Sequence, residues 1–193
     1  KYSDALAELG VWVGYLKDQG FEKILVAGHS RGGRQVSAYL ASEPLDPSIV
    51  GGVLIASGLS RNERNIENYK KDTGLDLRAL LDQFSKLPPD QFVDVPKFIY
   101  CDKPRVTAGA FISEYKDDPT HSAPTNVAKI SDIPVLVIGG SEDKVVPNIE
   151  SDFESLSDQQ NLMVEVIDGA DHFFRDLYAD DAATLIVELI ESL

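Results

Sequence analysis

The 193 residues carry 32 Asp and Glu against 18 Lys and Arg, for a formal net charge of −14, and 43% of them are hydrophobic. So acidic a chain repels phosphate backbones, which disfavours nucleic acid as a partner and favours a small neutral substrate over a polyanion. The longest apolar runs are strand-sized, well short of the about 18–20 residues of a membrane span; Cys101 has no partner for an intrachain disulfide, and the His and Cys residues show no zinc-ligand spacing.

In chain order, the first element is an amphipathic helix with Leu6, Leu9, Val13 and Leu16 on one face, Ser3 or Asp4 as its cap and Gly20 closing it. A strand candidate, Lys23 to Ala27, runs into Gly28-His29-Ser30-Arg31-Gly32, and a helix follows from about Gly33 to Ala41, stopped near Pro44. A serine raised on a sharp turn between strand and helix adopts strained backbone angles, and its neighbours two residues either side pass close together. Glycine at 28 and 32 is expected to meet both demands. The second strand candidate is Ile49 to Ala56.

The stretch from about Ser60 to Ile130 is far longer than a usual crossover. It contains a helix candidate from Leu75 to Phe84, ended by Pro88-Pro89, and another from Thr107 to Tyr115. The third strand candidate, Pro134 to Ile138, leads into Gly139-Gly140-Ser141-Glu142-Asp143-Lys144-Val145-Val146-Pro147, and a helix follows with Ile149, Phe153 and Leu156 inward. The fourth, Leu162 to Ile167, precedes the loop Asp168-Gly169-Ala170-Asp171-His172-Phe173-Phe174. A last helix begins near Ala179 and is expected to present Leu185, Ile186, Leu189, Ile190 and Leu193 to the sheet. Strands alternating with helices predict an α/β fold with a parallel sheet and right-handed crossovers.

A nucleophilic serine needs a base and a carboxylate to orient that base. Of the three histidines, His29 stands beside Ser30, His121 reads as a solvated loop residue, and His172 follows the last strand. Glu142 and Asp143 are both possible orienters on the residues alone.

The three loops, in this order, resemble the serine hydrolases of the α/β-hydrolase superfamily, over nearly the whole chain from Ser3 to Leu193. The resemblance implies an α/β-hydrolase fold with Ser30 as nucleophile, His172 as base and Asp143, not Glu142, as orienter. The backbone N–H of Arg31 becomes an oxyanion donor, and no cofactor or metal is called for. Residues 1–59 and 131–193 become the core and residues 60–130 a helical cap over the site. His29, Phe111 and Tyr115 are the candidate substrate-pocket residues. The implied reaction is hydrolysis of a small neutral carboxylic ester or related acyl substrate, as by a carboxylesterase. The alternative is a non-catalytic small-molecule receptor or interaction protein on the same fold.

The sequence departs from the family at the front, where the elbow serine is already residue 30. Relatives carry several strands ahead of the elbow, and a loop among them donates the second oxyanion N–H. Lys23 to Ala27 is therefore expected to have an open edge, completed by an additional N-terminal segment, a separate chain or a second copy. No targeting segment is visible, and the compartment stays open.

Overall fold

The computed structural model describes residues 1–60 and 62–193. Chain order runs α1 (Tyr2–Asp18), β1 (Ile24–His29), α2 (Arg31–Leu40), β2 (Ile49–Ile55), α3 (Asn62–Thr73), α4 (Leu77–Ser85), the short strands β3 (Phe92–Asp94), β4 (Lys97–Phe98), β5 (Cys101–Asp102) and β6 (Arg105–Thr107), then α5 (Ala108–Tyr115), α6 (Ala123–Val127), β7 (Val135–Gly140), α7 (Ile149–Phe153), β8 (Leu162–Ile167) and α8 (Leu177–Ser192). Contacts divide it into two units, residues 6–60 with 119–193 and residues 1–5 with 61–118. No described helix is long and apolar enough to cross a membrane.

The larger unit is built on a parallel sheet of order β1-β2-β7-β8. Successive side chains on a strand point to opposite faces, and here both faces are apolar because both are covered. Ile24, Val26, Leu54, Val135 and Val137 pack with Val13 of α1, Val36 and Leu40 of α2, and Ile149 and Phe153 of α7. Leu25, Val53, Ile55, Leu136 and Ile138 pack with Phe174 and with Ala182 and Leu189 of α8. β7, flanked on both edges, is buried along its whole length. β1 has β2 as its one neighbour, so among the described residues nothing pairs its outer edge. Ala27 on that strand is exposed, as are Val11, Trp12 and Tyr15 on the outer side of α1.

Several boundaries differ from the sequence reading. α1 begins at Tyr2, so Ser3 and Asp4 lie within its first turn and do not cap it. Residues 119–130 belong with the sheet and not with the insertion. The reason is packing: Ala123 and Val127 join the sheet core, and the Asn126 amide donates to Ser37 Oγ on α2 at 3.0 Å and to the Thr120 carbonyl at 2.9 Å. His121, read as solvated, is buried in this same segment.

The smaller unit has its own core of Ile66, Tyr69, Leu77, Phe84, Val95, Ala108 and Phe111. Asp76 caps α4 by accepting the Arg78 N–H at 2.9 Å, and Thr107 caps α5 by accepting the Ala110 N–H at 3.2 Å. Tyr2 N–H donates to Ser113 Oγ at 2.8 Å, which ties the first residues of the chain to this unit. The unit is not wholly helical. β3 pairs with β6 and β4 with β5, both antiparallel, because Phe92-Val93 and Val106-Thr107 supply branched and aromatic residues suited to strands. The β4–β5 turn holds Ile99 at φ 55°, a conformation unfavourable for a β-branched residue. Its N–H is secured by the Tyr115 hydroxyl at 2.8 Å.

Burial pushes the Tyr115 hydroxyl up to about 12, whereas an unfolded tyrosine titrates near 10. The stability it confers is therefore fully present below about pH 10 and is lost as the pH rises toward 12. Tyr115→Phe should remove the tyrosinate absorbance component that titrates near 12. It should also lower the unfolding free energy, and with it the denaturation midpoint, by about 1–3 kcal/mol of stability, because the Ile99 N–H loses its acceptor. An unchanged alkaline titration and an unchanged midpoint would contradict this role.

Candidate active site

Parallel strands present all their carboxyl ends along one edge of the sheet, the edge where open α/β sheets bind ligands. Ser30 follows β1, Asp143 follows β7 and His172 follows β8. β1 and β8 are the two edge strands, roughly 14 Å apart at about 4.8 Å per strand. Loop 168–176 therefore has to carry His172 back across the sheet to reach Ser30.

Ser30 sits at φ 54°, ψ −119°. Its N–H donates to the Ile55 carbonyl at 2.7 Å, and its own carbonyl accepts from Ser57 Oγ at 2.5 Å and from the Arg34 N–H at 3.3 Å. A Cβ on Gly28 would stand 2.5 Å from the carbonyl carbon and oxygen of Gly32. A Cβ on Gly33 would meet Ser57 Oγ at 2.0 Å, while one on Gly32 would meet nothing within 4 Å. The steric demand thus falls on Gly28 and Gly33, and the expectation for Gly32 is corrected. The backbone folds so that residue 32 supplies the main chain on which Gly28 packs, and residue 33 faces the β2 end. Arg31 opens α2, so its N–H lies at a helix N-terminus, where the helix dipole favours negative charge.

Asp143 is 2% exposed. Its Oδ1 accepts the N–H groups of Val145 at 2.7 Å and Val146 at 2.8 Å, and its Oδ2 lies 2.8 Å from His172 Nδ1. His172 is 5% exposed, and its Nε2 lies 3.0 Å from Ser30 Oγ. A carboxylate only accepts, so Nδ1 carries the proton. In neutral His172 this leaves Nε2 as the acceptor for the Ser30 hydroxyl. Glu142 is exposed, and its backbone N–H donates to the Ala170 carbonyl at 3.0 Å.

The acid and histidine loops are tied to each other as well. Ser141 N–H donates to the Ile167 carbonyl at 3.1 Å, while Ser141 Oγ accepts the Gly169 N–H at 2.8 Å and donates to Asp168 at 3.1 Å. Asp171 accepts the Phe173 N–H at 2.8 Å, and Phe174 is sunk in the sheet core. His29, exposed beside the elbow, donates from Nε2 to the His172 carbonyl at 2.7 Å, with the two rings 4.9 Å apart.

The other two candidate pocket residues belong to the smaller unit. Phe111 is 0% exposed, enclosed by Tyr69, Phe84, Phe98 and Tyr115. It is a core residue of the smaller unit and lines no open pocket, which corrects that expectation. Tyr115 is partly buried in the same cluster, with its hydroxyl engaged by Ile99. Ser57 escaped the sequence reading altogether. The available signal was its position just past the end of β2, the same topological station as Ser30 and Asp143.

The profile of the alpha/beta hydrolase family matches residues 1–188. No curated protein sequence matches the chain. Among solved structures, the chain is similar to a monoacylglycerol lipase of Paleococcus ferrophilus, with a TM-score of 0.65 and 17% identity over 99% of this chain and 76% of that one. It is also similar to Est1E of Butyrivibrio proteoclasticus, with a TM-score of 0.59 and 22% identity over 96% and 69%. A bromoperoxidase of Bacillus anthracis gives a TM-score of 0.53 and 19% identity over 92% and 70%. At these identities the likeness establishes the fold and nothing finer.

Proposed function

The chain belongs to the alpha/beta hydrolase family, and from that premise we propose that it is a serine hydrolase acting on a small neutral carboxylic ester through an acyl-enzyme. The observation that carries the reading is the hydrogen-bonded run from Asp143 through both ring nitrogens of His172 to Ser30 Oγ, at 2.8 and 3.0 Å. In the proposed reaction Ser30 Oγ attacks the carbonyl carbon while His172 Nε2 takes its proton. The imidazolium then protonates the leaving alkoxide, and water repeats the cycle on the acyl-enzyme to release the acid. Asp143, held by two backbone N–H groups, keeps the imidazole in the required tautomer and stabilises its charged form. The Arg31 N–H is the proposed first oxyanion donor.

The choice of substrate class rests on two further points. A serine, unlike an aspartate, forms an acyl-enzyme at a carbonyl, and the net charge of −14 repels polyanionic substrates. The insertion leaves the core after β2, and its described residues build a unit with a core of its own. A non-catalytic receptor would have no need of a buried carboxylate aligned with a histidine and a strained serine.

The test is ester turnover, for example of p-nitrophenyl acetate. Ser30→Ala and His172→Ala should each lower kcat by on the order of 10⁶-fold, and Asp143→Asn by on the order of 10⁴-fold, because the three act as a unit. Folding should be unaffected in all three. Wild-type hydrolysis by purified Ser30→Ala would exclude this nucleophile.

The second oxyanion donor has no assigned residue, and the outer edge of β1 is unpaired among the described residues. An apolar unpaired edge is a template for another strand. We propose that in the active species a further segment, from the same polypeptide, a separate chain or a second copy, covers β1 and brings that donor. A hole short of one donor loses about 10²–10³ in rate. Residues 1–193 should therefore associate in solution, or as a monomer turn over esters about 10²–10³-fold more slowly than the associated species. A monodisperse monomer by light scattering, with kcat/KM near the top of the ordinary range at about 10⁸ M⁻¹ s⁻¹, would contradict this.

A further inference from the structure

Ser57 is 1% exposed, and its hydroxyl is the shortest contact made by the backbone of the nucleophile, 2.5 Å from the Ser30 carbonyl oxygen. A hydroxyl has one proton to give. The Ile55 carbonyl, at 3.2 Å, is the more distant of its two acceptors and is already engaged by the Ser30 N–H at 2.7 Å. Gly33 leaves the seat open, since a Cβ there would overlap Ser57 Oγ at 2.0 Å.

The Ser30 carbonyl and the Arg31 N–H belong to one planar trans peptide and point in opposite directions across it. Whatever grips the oxygen therefore aims the N–H. Resting on the serine-hydrolase reading, we infer that Ser57 is a positioning residue of the oxyanion hole. It holds the Ser30–Arg31 peptide plane so that the Arg31 N–H meets the negative charge that develops on the substrate oxygen. Among the described residues the other group on that carbonyl is the Arg34 N–H, at 3.3 Å, which is too long to hold the plane as firmly. Preorganisation of this kind acts on the transition state, because the donor must already point at the oxyanion when it forms.

A purely structural role for Ser57 would slow every substrate alike. A role in the oxyanion hole would not, because sulfur is a weaker hydrogen-bond acceptor than oxygen and gains little from the N–H. The experiment compares p-nitrophenyl acetate with its thionoester, C=S in place of C=O, on the intact protein. Active sites are counted by fluorophosphonate labelling of Ser30. Ser57→Ala should lower kcat for the ester about tenfold or more while KM changes little, a fraction of the effect of removing a donor outright. The thionoester rate should change less than about twofold, so that the ester-to-thionoester ratio falls. Ser57→Thr keeps the hydroxyl and should return the ratio toward the wild-type value.

Equal losses on both substrates, or an unchanged ester rate in Ser57→Ala, would overturn the assignment and leave the hydrolase reading standing. Wild-type protein that neither labels at Ser30 nor turns over ester would overturn both.

Discussion

The structure depends on holding one serine in a backbone conformation that an L-residue avoids. Ser30 at φ 54° costs about 1–3 kcal/mol on its own and persists where its surroundings over-determine it. Four groups do so: the Ile55 carbonyl on its N–H, Ser57 and the Arg34 N–H on its carbonyl, and the bare main chain of Gly28 and Gly33 that lets strand and helix meet. Three of these depend on β1 lying beside β2 in its observed register, with His29 opposite Ile55. A one-residue slip would release Ser30 from Ile55 and turn every side chain of the strand to the wrong face.

The same sheet edge sets the other two groups. β7 is buried end to end, and a rigid central strand is a firm base for the turn that buries Asp143. β8 is an edge strand with alternate residues exposed, so the His172 loop cannot rely on its strand alone. It is pinned instead by backbone bonds to the acid loop, by Phe174 in the core and by His29 on the His172 carbonyl. His29 thus links the elbow directly to the histidine loop through the His172 carbonyl.

Much of this was legible because local signals agreed with the fold. The four apolar runs became the four sheet strands, and Ser30, Asp143 and His172, each placed after a strand from its flanking residues, converge within hydrogen-bond distance. What was hidden depended on contacts distant in sequence. The division of labour between Gly32 and Gly33 follows from which residue faces Ser57, a relation across 24 positions that no spacing rule encodes. Phe111 reads identically whether it lines a cavity or fills one, and only the ring cluster around it decides. The burial of His121 and the extent of the insertion both turn on Asn126 reaching Ser37, a bond between residues of two helices 89 positions apart. The short strands at residues 92–107 were missed because segments of two or three residues carry almost no periodicity.

If Ser30 carries the acyl group during turnover, as proposed, the mass of the protein caught in the act will report it. The protein is mixed with excess p-nitrophenyl ester, quenched in acid within the first turnovers and digested. An acyl-enzyme on Ser30 should give a mass increase equal to the acyl group on the peptide containing Ser30, lost in Ser30→Ala and formed with a burst of p-nitrophenol. Ester turnover with no acylated peptide, or with the acyl group on another residue, would contradict it.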